Sequence, residues 1–189
     1  HNIGYFFYNG GNDSADTAYK VSQISKKLGY PINCIAIPKT VDNDLAITDC
    51  CPGFGSAAKY IATSTMEASL DVASMSETST KVFILEVMGR HAGWMAASSA
   101  LARSSKKDAP HIILMPEIMF NQKKFLSKIK KVVNEHGYCV IVASEGVKDS
   151  KGNFLAESDT KDAFGHTQLG GVAPYLASLI SSKLKLKNH

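Results

Sequence analysis

Strand-length apolar runs at residues 3–8, 32–37, 82–87, 112–115 and 140–143 alternate along the chain with segments whose apolar residues recur at helical spacing. A strand that is apolar along its whole length, such as residues 140–143, has no polar face to turn to water, so it belongs in a sheet covered on both sides. Parallel strands joined by helical crossovers provide that cover. The chain is therefore expected to be α/β, a Rossmann-like parallel sheet with helices on both faces. Ala15, Ala18, Val21, Ile24 and Leu28 mark the first helix behind a Gly10–Gly11 turn. Residues 53–75, 94–103 and a segment with Phe125, Ile129, Val132, Val133 and His136 mark the others. No period of roughly 20 to 50 residues repeats, which argues against a solenoid. The polar stretch 148–162 reads as a surface loop, and the tail carrying Lys183, Lys185 and Lys187 as a lysine-rich end.

Composition narrows the function classes. A net charge of +4 spread over the chain suits small anionic ligands and forms no nucleic-acid-binding stripe. The apolar runs fall far short of the run of about 20 residues that spans a bilayer, and no membrane or secretory segment is expected. Cys34, Cys50, Cys51 and Cys139 contain no Cys-x-x-Cys pair. Reduced thiols in a cytoplasmic protein are expected. The chain enters an apolar strand straight from His1–Asn2, without a starting Met, and reads as a piece of a longer protein.

The chemistry gathers where strands end. Gly10-Gly11-Asn12-Asp13 follows the first strand, Lys39-Thr40-Val41-Asp42-Asn43-Asp44 the second, Met88-Gly89-Arg90 the third, Pro116-Glu117 the fourth and Ser144-Glu145-Gly146 the fifth. In an open α/β sheet ligands bind outside the carboxyl ends of strands, so Asn12, Thr40, Asp42, Arg90 and Glu145 are expected to border one cleft. A glycine turn that opens a helix can hold a phosphate, although many such turns are only structural. Asp42, Asp44 and Asp49 crowd one irregular stretch that lacks the glycine and terminal glutamate of a calcium loop. Either it is a solvated turn, or Lys39 and Thr40 beside Asp42 pair a cation with a general base, as phosphoryl transfer to a hydroxyl requires. Arg90 is a surface arginine or an anion clamp. Glu145 is an acceptor for sugar hydroxyls or a carboxylate at a helix start. His166 is a ligand-binding or a structural histidine.

Taken together, Pro38-Lys39-Thr40-Val41-Asp42-Asn43-Asp44, Thr48-Asp49, Gly53-Phe54, Glu86-Val87-Met88-Gly89-Arg90, Pro116-Glu117, and Gly165-His166 with Gly170-Gly171 resemble the 6-phosphofructokinase family in order and spacing. The resemblance runs over nearly the whole chain. It implies the phosphofructokinase fold in part, with residues 1–189 as the central and fructose-phosphate-binding portion and the family's N-terminal strands and C-terminal elements absent. It implies Asp42 as the catalytic base for the sugar 1-hydroxyl, with Thr40 and Arg90 also in the catalytic set. Thr40, Asp42, Lys81, Met88, Gly89, Arg90, Glu145 and His166 would bind fructose 6-phosphate, and Lys81 would reach into a neighbouring subunit, which implies a homo-oligomer, a dimer or tetramer. Asn12 and Asp44 would serve magnesium.

Gly11, Asn12, Asp13 and Lys39 would bind the phosphoryl donor. Members that use ATP resemble Gly-Gly-Asp-Gly and Pro-Gly-Thr at the loops where this chain has Gly10-Gly11-Asn12-Asp13 and Pro38-Lys39-Thr40. Aspartate at 13 sets bulk and negative charge against a nucleotide α-phosphate, and lysine at 39 suits the compact charge of pyrophosphate. The resemblance therefore implies the pyrophosphate-dependent branch, a reversible step of glycolysis that yields fructose 1,6-bisphosphate and phosphate. The alternatives are an ATP-dependent member and a non-catalytic, sugar-phosphate-binding regulatory subunit. Three departures stand out: Asn12 where an aspartate is common, Leu169 where many members carry an arginine, and no arginine near Thr160, with only Lys161 close by.

Overall fold

The structure, a computed structural model, describes residues 1–161, 167–169 and 171–189. In chain order its elements are β1 (Tyr5–Gly10), α1 (Asn12–Lys27), β2 (Asn33–Pro38), α2 (Phe54–Met75), β3 (Val82–Val87), α3 (Trp94–Ser98), β4 (Ile112–Leu114), α4 (Gln122–His136), β5 (Cys139–Ser144), β6 (Glu157–Lys161), β7 (Thr167–Leu169) and α5 (Val172–Leu184). They fall into two compact units, His1–Gly55 and Ser56–His189.

In the first unit β1 and β2 pair in parallel, from Tyr5 opposite Asn33 to Gly10 opposite Pro38. The crossover between them is α1, which packs on both strands. Asp13 in its first turn and Lys26 and Lys27 in its last complement the helix dipole. Two strands and one helix cannot cover both faces of a sheet. Tyr5 and Phe7 on β1 and Ile35 and Ile37 on β2 share the face left open, and they remain 63%, 60%, 42% and 47% exposed. The apolar sequence of these strands led to the expectation of burial on both sides, which this unit does not meet.

The second unit does meet it. Here β5 lies between β3 and β4, parallel to both, and all six of its residues are buried. The strand's period of two sends Cys139, Ile141 and Ala143 to one face. There, with Val82 and Ile84 of β3, they meet Phe125, Ile129 and Val132 of α4 and Val172, Leu176 and Ile180 of α5. Val140 and Val142 turn the other way and are equally buried, and α3 packs against this strand. Phe125, Ile129 and Val132 stand at i, i+4 and i+7, so α4 shows the core one apolar stripe. The helix starts where the Asn121 side chain accepts from Lys124 N and stops at Gly137, whose φ of 83° is left-handed.

The α/β class is thus as expected, and three details differ. Within the polar stretch 148–162, Lys148 bridges Phe154 and residues 157–161 form β6, paired antiparallel to β7. The helix expected over 94–103 is α-helical only to Ser98 and tightens into a 3-10 turn over Ser99–Ala102. Ser98 and Ser99 donate from their hydroxyls to the carbonyls of Met95 and Ala96, local bonds that compete with the α-helical ladder. The lysine-rich end is not a loose tail. After α5 the chain returns along β3, where Lys187 O accepts from Lys81 N and Val82 N, His189 N donates to Val82 O and Ile84 N donates to His189 O.

One histidine ties this core to pH. His111, just before β4, stacks on His136 with ring centroids 5.6 Å apart and meets the edge of Tyr138 at 5.1 Å. Its Nδ1 accepts from Val140 N at 3.0 Å. Burial, and secondarily the neighbouring His136, push its pKa from 6.5 down to about 4. The unfolded chain takes this proton near pH 6.5 and the folded chain only near 4, so acid favours unfolding across that window. Denaturant midpoints are expected to fall between those two values. In His111→Gln the slope of midpoint against pH over the same window should flatten, and an unchanged slope would assign the effect to other groups.

Candidate functional site

Because β1 and β2 are parallel, their carboxyl ends open on one edge and the two following loops meet. Lys39 N donates to Gly10 O at 2.8 Å, and a Cβ on Gly11 would lie 3.3 Å from Lys39 O. A Cβ on Gly10 would come within 2.5 Å of Ser14 Cβ, so the turn into α1 requires glycine there. Gly11 is the N-cap of α1 and contributes no capping side chain. The first-turn amides and the positive end of the helix are therefore without a capping side chain from Gly11, the kind of helix start that can hold an anion.

The loop after β2 is folded around Asn43. This residue is buried, at φ 56°, a left-handed conformation that asparagine tolerates better than most residues. Its Oδ1 accepts from Cys51 N at 2.8 Å and its Nδ2 donates to Asp49 O at 3.3 Å, closing the loop on itself. The aspartates on either side are thereby fixed. Asp42 N donates to Thr40 Oγ1 at 3.2 Å, and Asn12 Nδ2 donates to Asp44 Oδ2 at 3.1 Å. Asp44 Oδ1 is buried with no hydrogen-bond partner among the described residues. Gly11, Asn12, Lys39, Thr40, Asp42 and Asp44 are brought together in this unit, while Asp13 sits exposed in the first turn of α1 and Asp49 is exposed as well.

A second group assembles at the carboxyl edge of the other unit. Met88-Gly89-Arg90 follows β3, Glu145 follows β5, and Gly89 N donates to Glu145 Oε1 at 3.2 Å. Gly89 has φ 134°, and a Cβ there would stand 2.5 Å from Ala92 O. A Cβ on Gly146 would collide with the carbonyl oxygens of Gly89 and Arg90. Ser144 Oγ donates to Gly89 O. Arg90 is half-buried in the turn after β3. Residues 145–146 form a turn and no helix starts there, which removes the reading of Glu145 as a helix-start carboxylate.

Other expected residues lie elsewhere. Lys81 precedes β3, at the opposite end from Met88, and its Nζ donates to Ser76 O at 2.6 Å. His166 lies outside the described residues, as do Gly165 and Gly170. Asn43, Ser144, Gly146 and two carboxylates that hold backbone stand in the strand-end clusters and family motifs of the sequence, which gave none of them a role. Glu86 accepts from Gly171 N at 3.0 Å and Ala173 N at 2.8 Å, capping α5, and Glu117 accepts from Gly93 N at 2.7 Å.

The clamp at Asn43 can be separated from its backbone conformation. Asn43→Gly keeps access to φ 56° but loses both side-chain bonds, so it is expected to destabilise the chain by about 1–3 kcal/mol in chemical denaturation, the cost of stranding buried partners. A variant as stable as the parent would show that the left-handed backbone alone sets the loop.

Comparison with known proteins gives a consistent result. The whole chain, residues 1–189, matches the family model described as phosphofructokinase. A pyrophosphate–fructose 6-phosphate 1-phosphotransferase from Halomonas elongata is 62% identical over 189 residues, covering 100% of this chain and 45% of its own length. The crystal structure of a pyrophosphate-dependent phosphofructokinase from Marinobacter aquaeolei superposes with a TM-score of 0.82 at 59% identity, over 100% of this chain and 44% of that one. A phosphofructokinase structure from Saccharomyces cerevisiae gives a TM-score of 0.71 at 20% identity, over 99% of this chain and 24% of that one, a likeness of fold alone. The chain spans about half the length of such curated relatives, 45% of the one from Halomonas elongata.

Proposed function

Because the chain belongs to the phosphofructokinase family, we propose that it serves transfer of a phosphoryl group from pyrophosphate to the 1-hydroxyl of fructose 6-phosphate, giving fructose 1,6-bisphosphate and phosphate. The observation that carries this reading is the loop after β2, where one closed turn presents Thr40, Asp42 and Asp44 beside Asn12. A base, a hydroxyl and a carboxylate held by an amide, next to an uncapped helix start, are the parts that phosphoryl transfer to an alcohol uses.

In this reading Asp42 takes the proton of the sugar 1-hydroxyl as that oxygen bonds to phosphorus, and phosphate leaves from the far side. Thr40 holds the Asp42 backbone through its Oγ1. Lys39 and the first-turn amides of α1 neutralise charge on the donor, and Arg90 and Glu145 hold fructose 6-phosphate, the arginine through its guanidinium on the phosphate and the glutamate by accepting from sugar hydroxyls through the carboxylate oxygen not engaged by Gly89. Met88 and Gly89 shape that pocket, with His166 as a further contact.

A magnesium ion fits the chemistry of Asp44, whose Oδ1 is buried without a hydrogen-bond partner among the described residues while Asn12 steadies the other oxygen. Asp44 would hold it, with Asn12 orienting Asp44, and the ion would neutralise charge on the transferring group.

Donor choice rests on Asp13 and Lys39. A carboxylate in the first turn of α1 opposes a nucleotide α-phosphate, and the exposed Lys39 offers its charge to pyrophosphate. The names of the relatives support the same donor. Lys81, at the far end of β3 from Arg90, would serve the sugar site of a neighbouring subunit in a homo-oligomer. No helix among the described residues is long and apolar enough to cross a membrane, and the proposed setting is the cytoplasm.

Steady-state assays of the full-length protein with pyrophosphate and with ATP test the donor, and a clear preference for ATP would overturn the assignment of Asp13 and Lys39. Absence of turnover with either donor, despite binding of fructose 6-phosphate, would make the protein a binding subunit. Asp42→Asn is expected to lower kcat by about two to four orders of magnitude with little change in KM for fructose 6-phosphate, since the amide keeps size and hydrogen bonding but accepts no proton. Near-normal turnover in a variant that only melts earlier would assign the base to another residue.

A further inference from the structure

Ser144 closes β5 and is fully buried, a lone hydroxyl at the end of a strand otherwise made of Cys139, Val140, Ile141, Val142 and Ala143. The core has no need of a polar group there. Its Oγ leaves the strand and makes two bonds, donating to Gly89 O and accepting from Gly146 N at 3.3 Å. The next residue, Glu145, takes the amide of the same glycine through Oε1. The N–H and the C=O of Gly89 are therefore both held by consecutive residues at the end of the neighbouring strand.

Sterics tighten the arrangement. Gly146 packs so closely on the Gly89 and Arg90 carbonyls that no side chain fits, and Gly89 lies in a backbone region that disfavours one. The turn after β5 and the turn after β3 thus form one locked joint, with Arg90 following Gly89 and Glu145 bonded to it. A hydroxyl has a single proton, and here that proton is committed to Gly89 O, so Ser144 cannot bind a ligand as a donor without releasing the joint.

We infer that Ser144 is a positioning residue, pinning the Gly89 peptide so that Arg90 and Glu145 meet the sugar phosphate in fixed register. The inference rests on the proposed sugar-phosphate role of those two residues. It assigns to a core strand a specificity function that its apolar sequence does not suggest. Removal of the hydroxyl strands the buried Gly89 carbonyl and loosens the joint, while the loop carrying Asp42 keeps all its own bonds.

The test uses the full-length enzyme. Ser144→Ala is expected to raise KM for fructose 6-phosphate about tenfold, with KM for pyrophosphate within about twofold and kcat within about threefold of the parent. Ser144→Thr returns the hydroxyl on the same Cβ in a shape that strands accept, and is expected to restore KM for the sugar. Should the alanine variant fail to fold, Ser144→Cys, close in size and a weak donor, is expected to raise the same KM while Ser144→Thr does not. An alanine or cysteine variant with an unchanged sugar KM overturns the inference. So does a variant in which both KM values and thermal stability shift together and threonine restores neither, since that pattern marks general packing. A parent enzyme without pyrophosphate-dependent turnover overturns the underlying functional reading and this inference with it, whereas an active parent with an indifferent variant overturns this inference alone.

Discussion

β5 bonds in parallel to β3 on one side and β4 on the other, and its six residues are buried. Parallel partners need crossover connections, and helices are what the chain uses to make them. Those helices land on the faces of the sheet, α4 among them, and α5, which follows β7, completes the cover over Cys139, Ile141 and Ala143. The edges then become the only places where backbone can leave the ladder and polar side chains can gather. At the carboxyl edge the strand directions agree, so the residues after β3 and after β5 arrive side by side whatever their separation in sequence. The same rule brings the loops after β1 and β2 together in the other unit.

Parallel pairing brings the loops near each other but does not shape them. Shape comes from small polar groups that satisfy backbone the ladder no longer serves. Asn43 substitutes for a missing strand partner by binding Asp49 O and Cys51 N, Ser144 and Glu145 take both polar groups of Gly89, and Glu117 takes Gly93 N. Each of these bonds is buried or half-buried, where an unmade bond costs more than a made one contributes. The loops are thereby tied by their own bonds, which suits the proposed site, one that would work by positioning and charge.

What the sequence disclosed follows from which forces are local. Continuous apolar runs are a local signal, and β3 occupies the same residues, Val82–Val87, that the run defines, while β5 extends the run at 140–143 by one residue at each end. Asp42, Asp44, Arg90 and Glu145 were singled out because they stand at strand ends and match a family pattern. Asn43, Ser144 and Gly146 lie in the same stretches but were given no role, because nothing in those stretches says that a backbone partner will come from elsewhere. The pairing of residues 157–161 with β7 was hidden for the same reason, since a polar stretch becomes a strand only when a partner offers hydrogen bonds. The exposed Tyr5, Phe7, Ile35 and Ile37 show the converse, an apolar pattern that overstates the cover these residues receive within their unit.

Charge sets the remaining constraint on the loop after β2. Asp42 and Asp44 stand two positions apart, and the proposed donor is itself a polyanion, so a third carboxylate nearby would raise repulsion in a partly dehydrated site. Asparagine at 12 avoids that cost and still orders Asp44 by donating to Oδ2, which a carboxylate could not do unless protonated. Lys39 contributes a positive charge from the same loop, and the amides at the start of α1 contribute a partial one. Asn12 and Lys39 thus alter the electrostatics in the same sense, toward a small, highly charged donor. Asp13 adds a negative charge in the first turn of the same helix. In the proposed reading that charge would weigh against a longer donor with a further phosphate beside it, while Lys39 would favour a compact one.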